Sequence, residues 1–396
     1  MPKKMPLDGG AALIIEKLHG AGYEANVVGG AVRNHILGIP VSDFDITTSA
    51  TPDITARVFS DFRIIETGIK HGTVTILADG GAYEVTTYRT DGSYVDNRHP
   101  ESVSFTPNLS EDLARRDFTV NAICYNPYDG FTDLFDGIGD IKRRVIRAVG
   151  DPKTRFLEDA LRILRAIRFA SVLGFSVEQS TAAAVFETAP LLKNVSRERV
   201  YVEWTKLLGG VGAYDVISEY SGVISTAVRE LETITLPCRE RFDRACAEVR
   251  AISLFFLSCP DPVSSFDTAM QSLRTDNKTR KTGTNALKII SEYALSSASD
   301  VRLAAYRYNR ESVAIAIDVA YTVGRLNSDE YSAARAALDG ATVTQISDLA
   351  LGGADLIAAG LKGPAIGEAL DALAIAVITE GCENDRDSLL NYLKNL

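Results

Sequence analysis

Val27-Val-Gly-Gly-Ala-Val-Arg33, followed by Ser42-Asp-Phe-Asp45, decides how this chain is read. Val27 and Val28 read as the end of a buried strand. Gly29 and Gly30 read as a turn where backbone can approach a ligand closely. Residues 31–37 then start a helix, whose first backbone N–H groups would face a phosphate. Asp43 and Asp45 lie two apart in an extended segment, and a period of two puts both carboxylates on one face of a strand. Hard oxygen ligands side by side near a glycine turn suit Mg²⁺ that also holds a triphosphate. The plainer reading is a glycine turn beside a solvated acidic strand end. Gly-Gly alone supports no more than that, but the two signals together at this spacing favour the metal site.

Outward from this stretch, residues 11–23 read as a helix packed on the first strand, with residues 24–31 and 41–48 as strands. Thr51 before Pro52 is an N-cap candidate. Residues 62–65, 72–77 and 83–87 alternate or run β-branched, as strands do. Residues 91–105 are polar, with Gly, Asp, Asn and Pro, and read as a long mobile loop. Residues 109–121 read as a helix, and residues 125–134 as a hairpin around Asn126-Pro-Tyr-Asp-Gly130. Beyond residue 151 the strand signal fades, and Ala and Leu at helical spacing dominate. The fold class is α+β: a head with a mixed sheet and helices, then an all-helical remainder. Residues 258–265 and 296–300 read as helix connections.

Three further groups carry chemistry. Glu84, in Tyr83-Glu-Val-Thr-Thr87, is a candidate third carboxylate, since a neighbouring strand could present it to the same face; alone it reads as an exposed strand glutamate. Arg115-Arg116-Asp117-Phe-Thr-Val-Asn121-Ala122 sets two guanidinium groups beside an acid and an amide in an expected helix. Such a group suits phosphate recognition or a salt-bridge knot, and the two roles are compatible. Arg155-Phe-Leu-Glu158-Asp159-Ala-Leu-Arg162-Ile-Leu-Arg165-Ala-Ile-Arg168-Phe169 places Asp159 and Arg162 three apart on what reads as one helix. Apolar neighbours at 161, 163, 164, 167 and 169 argue for burial, and buried arginines need assigned partners.

The 396 residues allow about two to four domains, and the 46% hydrophobic content allows sizeable cores. No apolar run reaches membrane-span length, and the N-terminal Met1-Pro-Lys-Lys lacks an apolar signal core. Five scattered cysteines without a CxxC pair suit reduced thiols in a cytoplasm rather than a disulfide frame or zinc site. A net charge of −10 excludes a globally basic nucleic-acid binder. Residues 142–206 are different, with 13 Lys/Arg against 7 Asp/Glu, a local balance of +6 suited to phosphates. Helices with solvated faces would give a similar count.

Gly29-Gly30-x-Val32-Arg33, Asp43-x-Asp45, Arg115-Arg116-Asp117-Phe118-Thr119-x-Asn121-Ala122 and Glu158-Asp159-x-x-Arg162 occur in this order and end in Arg168-Phe-Ala-x-x-x-Leu-Gly-Phe175. They resemble the successive motifs of class II tRNA nucleotidyltransferases, the bacterial CCA-adding enzymes, together with poly(A) polymerases in the polymerase β-like superfamily. Leu361-Lys-Gly-Pro-Ala-Ile-Gly-Glu-Ala-Leu370 and Gly381-Cys-Glu-Asn384 resemble the tail of short bacterial members, while residues 211–335 resemble the family weakly. Asn34 departs from it, since Asp usually follows the arginine there; little effect is expected.

The resemblance implies a catalytic head over residues 1–146, a helical neck over 147–210, a body over 211–335 and a tRNA-binding tail over 336–396. It implies CTP and ATP as substrates, Mg²⁺ as cofactor, a tRNA 3′ end as acceptor, and no DNA or membrane partner. By motif position, Asp43 and Asp45 would bind the metal, and Gly29, Gly30, Arg33, Arg116, Asp159, Arg162, Arg165 and Arg168 the nucleotide. Cytosine and adenine both present an amino donor beside a ring-nitrogen acceptor, which a carboxylate and a guanidinium complement. Uracil and guanine reverse that pattern, and a site of paired hydrogen bonds rejects such mismatches by up to ~10⁴-fold or more. A CC-adding, A-adding or polyadenylating enzyme is the near alternative; Tyr88-Arg-Thr-Asp-Gly-x-Tyr94-x-x-x-Arg98 resembles the flexible loop used on switching to ATP and argues against CC addition alone. A catalytically silent RNA-binding protein is opposed by the intact Asp43, Asp45, Asp159 and Arg162. A sugar or antibiotic nucleotidyltransferase is opposed by the length of the helical part.

Overall fold

Strands β1 (Ala25–Val28), β2 (Asp45–Thr48), β3 (Arg63–Ile65), β4 (Thr73–Ala78) and β5 (Gly81–Thr87) are followed by β6 (Arg89–Asp91), β7 (Val103–Phe105), β8 (Ile123–Asn126) and β9 (Gly130–Asp133). Seven of them form one sheet in the order β3-β4-β5-β2-β1-β8-β9, while β6 and β7 pair separately. β2 runs parallel to β5 and the other neighbours are antiparallel, so the sheet is mixed, as the sequence suggests. The computed structural model describes residues 4–65, 68–92 and 103–395, and much of the loop expected at residues 88–98 lies outside them.

Central position explains the run Ala-Asn-Val-Val of β1, buried at every residue. Its one polar side chain, Asn26, is satisfied by Tyr88 Oη, which accepts its amide at 2.8 Å, and by the Asn126 amide, which donates to it at 2.7 Å. β4, which packs one face only, alternates buried and half-buried residues. β1 stops at Val28 because Gly29 takes φ 72°, a left-handed turn that admits glycine at little cost, and the helix Gly30–Leu37 starts at once. β2 is shorter than the expected 41–48. Asp45 opens it, and Asp43 sits before it in irregular chain.

The expected helix over 109–121 is a helix only over Leu109–Ala114, followed by a 3₁₀ turn over Thr119–Asn121. The chain between them pairs elsewhere: Thr119 N–H donates to Arg147 O at 2.9 Å, and Val149 N–H donates to Asp117 O at 3.1 Å. The helix read through Asp159 is likewise two helices, Pro152–Glu158 and Leu161–Leu173. Asp159 is extended, at φ −136° and ψ 104°, and its carboxylate accepts the Leu161 N–H at 3.0 Å. A short acidic side chain competing for backbone donors breaks the helix there. Gly174, at φ 63°, ends the second helix.

The chain forms two compact units, Met1–Val216 and Ile217–Leu396. The second is helical, from Ser221–Ala227 to Arg386–Leu393, and one of its cores gathers Val343, Leu356, Leu373 and Leu389. The expected connection over 258–265 narrows to three residues between the helices Ala247–Ser258 and Pro262–Ser272. Among the described residues, no helix is long and apolar enough to cross a membrane.

Candidate active site

A Cβ placed on Gly29 would lie 3.6 Å from Arg116 Nη1, and one on Gly30 would lie 3.7 Å from Arg33 Nη2. Two guanidinium groups therefore sit over the glycine turn beside the first N–H groups of its helix. Arg116 is aimed by Asp112, a fully buried carboxylate that accepts from Arg116 at 3.2 Å, from Arg115 at 2.7 Å and from Thr47 at 3.1 Å. Burial alone would push the Asp112 carboxyl up; Arg115 and Arg116 outweigh it and keep it below the ordinary carboxylate range.

Arg33 is held differently. Its Nη1 donates to Asn121 Oδ1 at 2.5 Å, while Nε and Nη2 donate to Asn34 Oδ1 at 3.2 and 2.9 Å. Both partners are neutral amides, so its charge stays uncompensated by direct contact. Burial first and Arg168 second lower it to about 10. Asn34, the departure from the family pattern, is therefore a direct holder of this arginine.

Facing these cations are the acids. Register pairs Asp45 with Val28, and Ile46 with Val85, which brings Glu84 of β5 beside Asp45. The Asp45 carboxyl is raised by the protein packed around it and then by the Glu84 charge, with Arg116 opposing. Asp43 accepts from Ser42 Oγ at 3.0 Å. Among the described residues, none of the three carboxylates has a Lys, Arg or His within ion-pair distance, and no three acidic, His or Cys side chains converge into a ready metal cluster. Glu84 thus adds negative potential beside Asp45.

The helix Leu161–Leu173 supplies the second half. Arg165 gives Nε and Nη2 to Asp117 at 2.8 and 2.5 Å. Burial alone would raise Asp117, but Arg165, Asn121 and Arg162 outweigh it and hold the carboxyl down at about 2. Arg168 gives Nε to Glu203 at 2.7 Å, with both side chains buried. Arg33, Arg165 and Arg168 all lie over the Phe169 ring, 5.1, 5.3 and 3.4 Å from its centroid.

Asp159 and Arg162 do not pair with each other. Asp159 Oδ2 accepts from Arg199 at 2.8 Å, and Arg162 Nη1 donates to Glu158 at 2.7 Å and to Arg155 O at 3.3 Å, while Nη2 donates to Arg115 O at 3.0 Å. A guanidinium has five N–H donors. The Arg162 Nε–H and one Nη2–H are left without a protein partner among the described residues, and so is lone-pair capacity on Asp159. Each residue is fixed by its own neighbour and keeps one polar edge open.

Sequence reading missed Arg199 and Glu203 as holders of Asp159 and Arg168. The signal was present: the helix Arg197–Leu208 carries Arg199 and Glu203 four apart on one face, and Glu203 sits among Val200, Trp204 and Leu207, where a buried acid needs a cation.

A glycine-turn sheet with two acids at the start of an inner strand and a cluster of guanidinium groups defines a nucleotidyltransferase head. Residues 25–147 match the family described as the Poly A polymerase head domain, residues 174–218 the Probable RNA and SrmB-binding site of polymerase A, and residues 247–393 a putative tRNA nucleotidyltransferase domain 2. The CCA-adding enzyme of Limosilactobacillus fermentum is 36% identical over 95% of this chain and 94% of its own, and that of Lacticaseibacillus paracasei is 37% identical over 95% and 94%. The crystal structure of Bacillus stearothermophilus CCA-adding enzyme in complex with CTP superposes with a TM-score of 0.78 at 31% identity, covering 99% of this chain and 98% of that one. The chain belongs to the CCA-adding enzyme family.

Proposed function

We propose that this chain adds C, C and A to the 3′ end of tRNA from CTP and ATP, without a nucleic-acid template. The observation that carries this reading is the pair of open polar edges on Asp159 and Arg162, each fixed by a separate ion pair. One acceptor beside one donor matches cytosine and adenine and mismatches uracil and guanine.

In the reaction, the terminal ribose hydroxyl oxygen of tRNA bonds to the α-phosphorus of the nucleotide, and the bond to the bridging oxygen breaks to release pyrophosphate. Arg33 and Arg116, over the glycine turn, hold the phosphates, with Arg165 and Arg168 adding positive potential. CCA-adding enzymes use a divalent metal; here Mg²⁺ fits the all-oxygen donor set of Asp43 and Asp45, whose mutual crowding with Glu84 a cation would relieve. When bound, that ion activates the hydroxyl and neutralises the leaving group.

The head is assigned to residues 1–146, the neck to 147–210, the body to 211–335 and the tail to 336–396, in a cytoplasmic protein. The tail holds three Lys/Arg (362, 386, 394) against nine Asp/Glu, a balance of −6. Phosphate attraction therefore falls to the neck, and the tail must engage tRNA by shape and neutral contacts.

The test is incubation with tRNAs ending before the first C, the second C or the A, giving each nucleoside triphosphate separately. C on the first two and A on the third is the expected outcome. C alone, A alone or repeated A would assign the chain to a CC-adding, A-adding or polyadenylating enzyme.

A further inference from the structure

The unit Ile217–Leu396 contains a cavity of about 540 Å³ lined by Arg241, Arg244, Cys246, Asp318, Tyr321 and Tyr331, a size usual for small-ligand sites. Its aromatic wall is Tyr321 and Tyr331, with ring centroids 4.7 Å apart. The Arg241 guanidinium lies 4.6 Å from the Tyr321 ring centre. Its Nη1 donates to Tyr321 O at 2.7 Å and to Leu326 O at 2.9 Å.

These contacts spend both Nη1 hydrogens and fix the plane of the group. Among the described residues, Nε–H and Nη2–H donate to no protein atom. They form one edge of the guanidinium, the fork that accepts two oxygens of a phosphate. An arginine that only fastened the chain to the end of the helix Arg310–Thr322 would need Nη1 alone.

The acid in the lining does not cancel this charge. Asp318 accepts from Tyr331 Oη at 3.0 Å and lies 3.5 Å from Arg335. Arg244 adds a second cation, tied among the described residues only to exposed Glu240, at 2.7 Å.

We propose that this cavity binds a small planar ring carrying a phosphate, of the nucleoside monophosphate class. The phosphate bonds to the free edge of Arg241, and the ring packs on the tyrosines. The cavity lies within the unit Ile217–Leu396 and shares no residue with the Asp159 and Arg162 pair.

Equilibrium dialysis of the full chain with radiolabelled AMP, adenosine or inorganic phosphate tests this. Wild type should show two classes of AMP site. Ser332→Trp fills the cavity from an exposed lining position, and Arg241→Lys keeps charge but removes the fork; each should weaken one class by about tenfold or more while CTP incorporation persists. Adenosine and phosphate should each bind that class more weakly than AMP. Unchanged AMP binding in both variants, or a single class in wild type, overturns the proposal. Unchanged AMP binding with weakened tRNA binding overturns it in favour of RNA phosphate.

Discussion

The carboxylates of the head and the arginines of the neck carry opposite charges and are prepared in opposite ways. Asp45 and Glu84 stand on adjacent inner strands, with Asp43 just before the first of them, and none has an ion-pair partner among the described residues; burial first and the Glu84 charge second raise the Asp45 carboxyl. Arg162, Arg165 and Arg168 are each tied to a carboxylate, Glu158, Asp117 and Glu203 respectively. The head is left incomplete and gains from a cation; the neck is already assembled and offers only the edges its ion pairs leave over. Function and stability should therefore separate between the two regions.

The largest effect should come from the head. Asp45→Asn or Asp43→Asn should cut nucleotide incorporation by roughly a thousandfold or more and leave the melting temperature unchanged or slightly raised, because repulsion with Glu84 falls. Paired melts and incorporation assays check this, and a large loss of stability would break the contrast.

Glu203→Gln in the neck should do the reverse. Leaving buried Arg168 without its carboxylate should cost about 3–5 kcal/mol of stability, read by chemical denaturation, with activity falling as the helix pair loosens. A neutral result would mean that the neck network is not what holds these helices.

The smallest effect concerns the boundary between the two regions. Asn34→Asp would place a carboxylate against the fork of Arg33, whose present partners are neutral amides. The KM for CTP should rise by roughly a few-fold, as expected for partial loss of one charge-assisted phosphate contact, with kcat little changed. An unchanged KM would remove Arg33 from phosphate binding.

The head was legible because its signals are local. A glycine turn at Gly29 and β-branched alternation in β4 each follow from the backbone of a few neighbours, whereas the period of two read for Asp43 and Asp45 fails because the strand starts only at Asp45. The neck and residues 109–121 of the head were legible in composition but not in geometry. Residues 109–121 and 155–169 look helical by period, yet backbone donors at Thr119 and Val149 pair across to residues 147 and 117, and the Asp159 side chain takes a backbone N–H. Helical period does not register such competition. For the same reason Asp159 and Arg162 look like partners by spacing, whereas their partners are Arg199 and Glu158. Glu203, hidden in an ordinary amphipathic helix, shows its role only once Arg168 is packed against it.

The central claim is that Asp159 and Arg162, held apart by separate ion pairs, read the base edge together. Its most direct test is the ratio of kcat/KM for CTP over UTP in Asp159→Ala and Arg162→Ala, each measured beside a thermal melt. The account predicts that both variants lose correct incorporation and that the ratio falls toward one, with neither substitution abolishing the open edge of the other residue. Folded variants that keep the wild-type ratio would make both residues structural and contradict the claim.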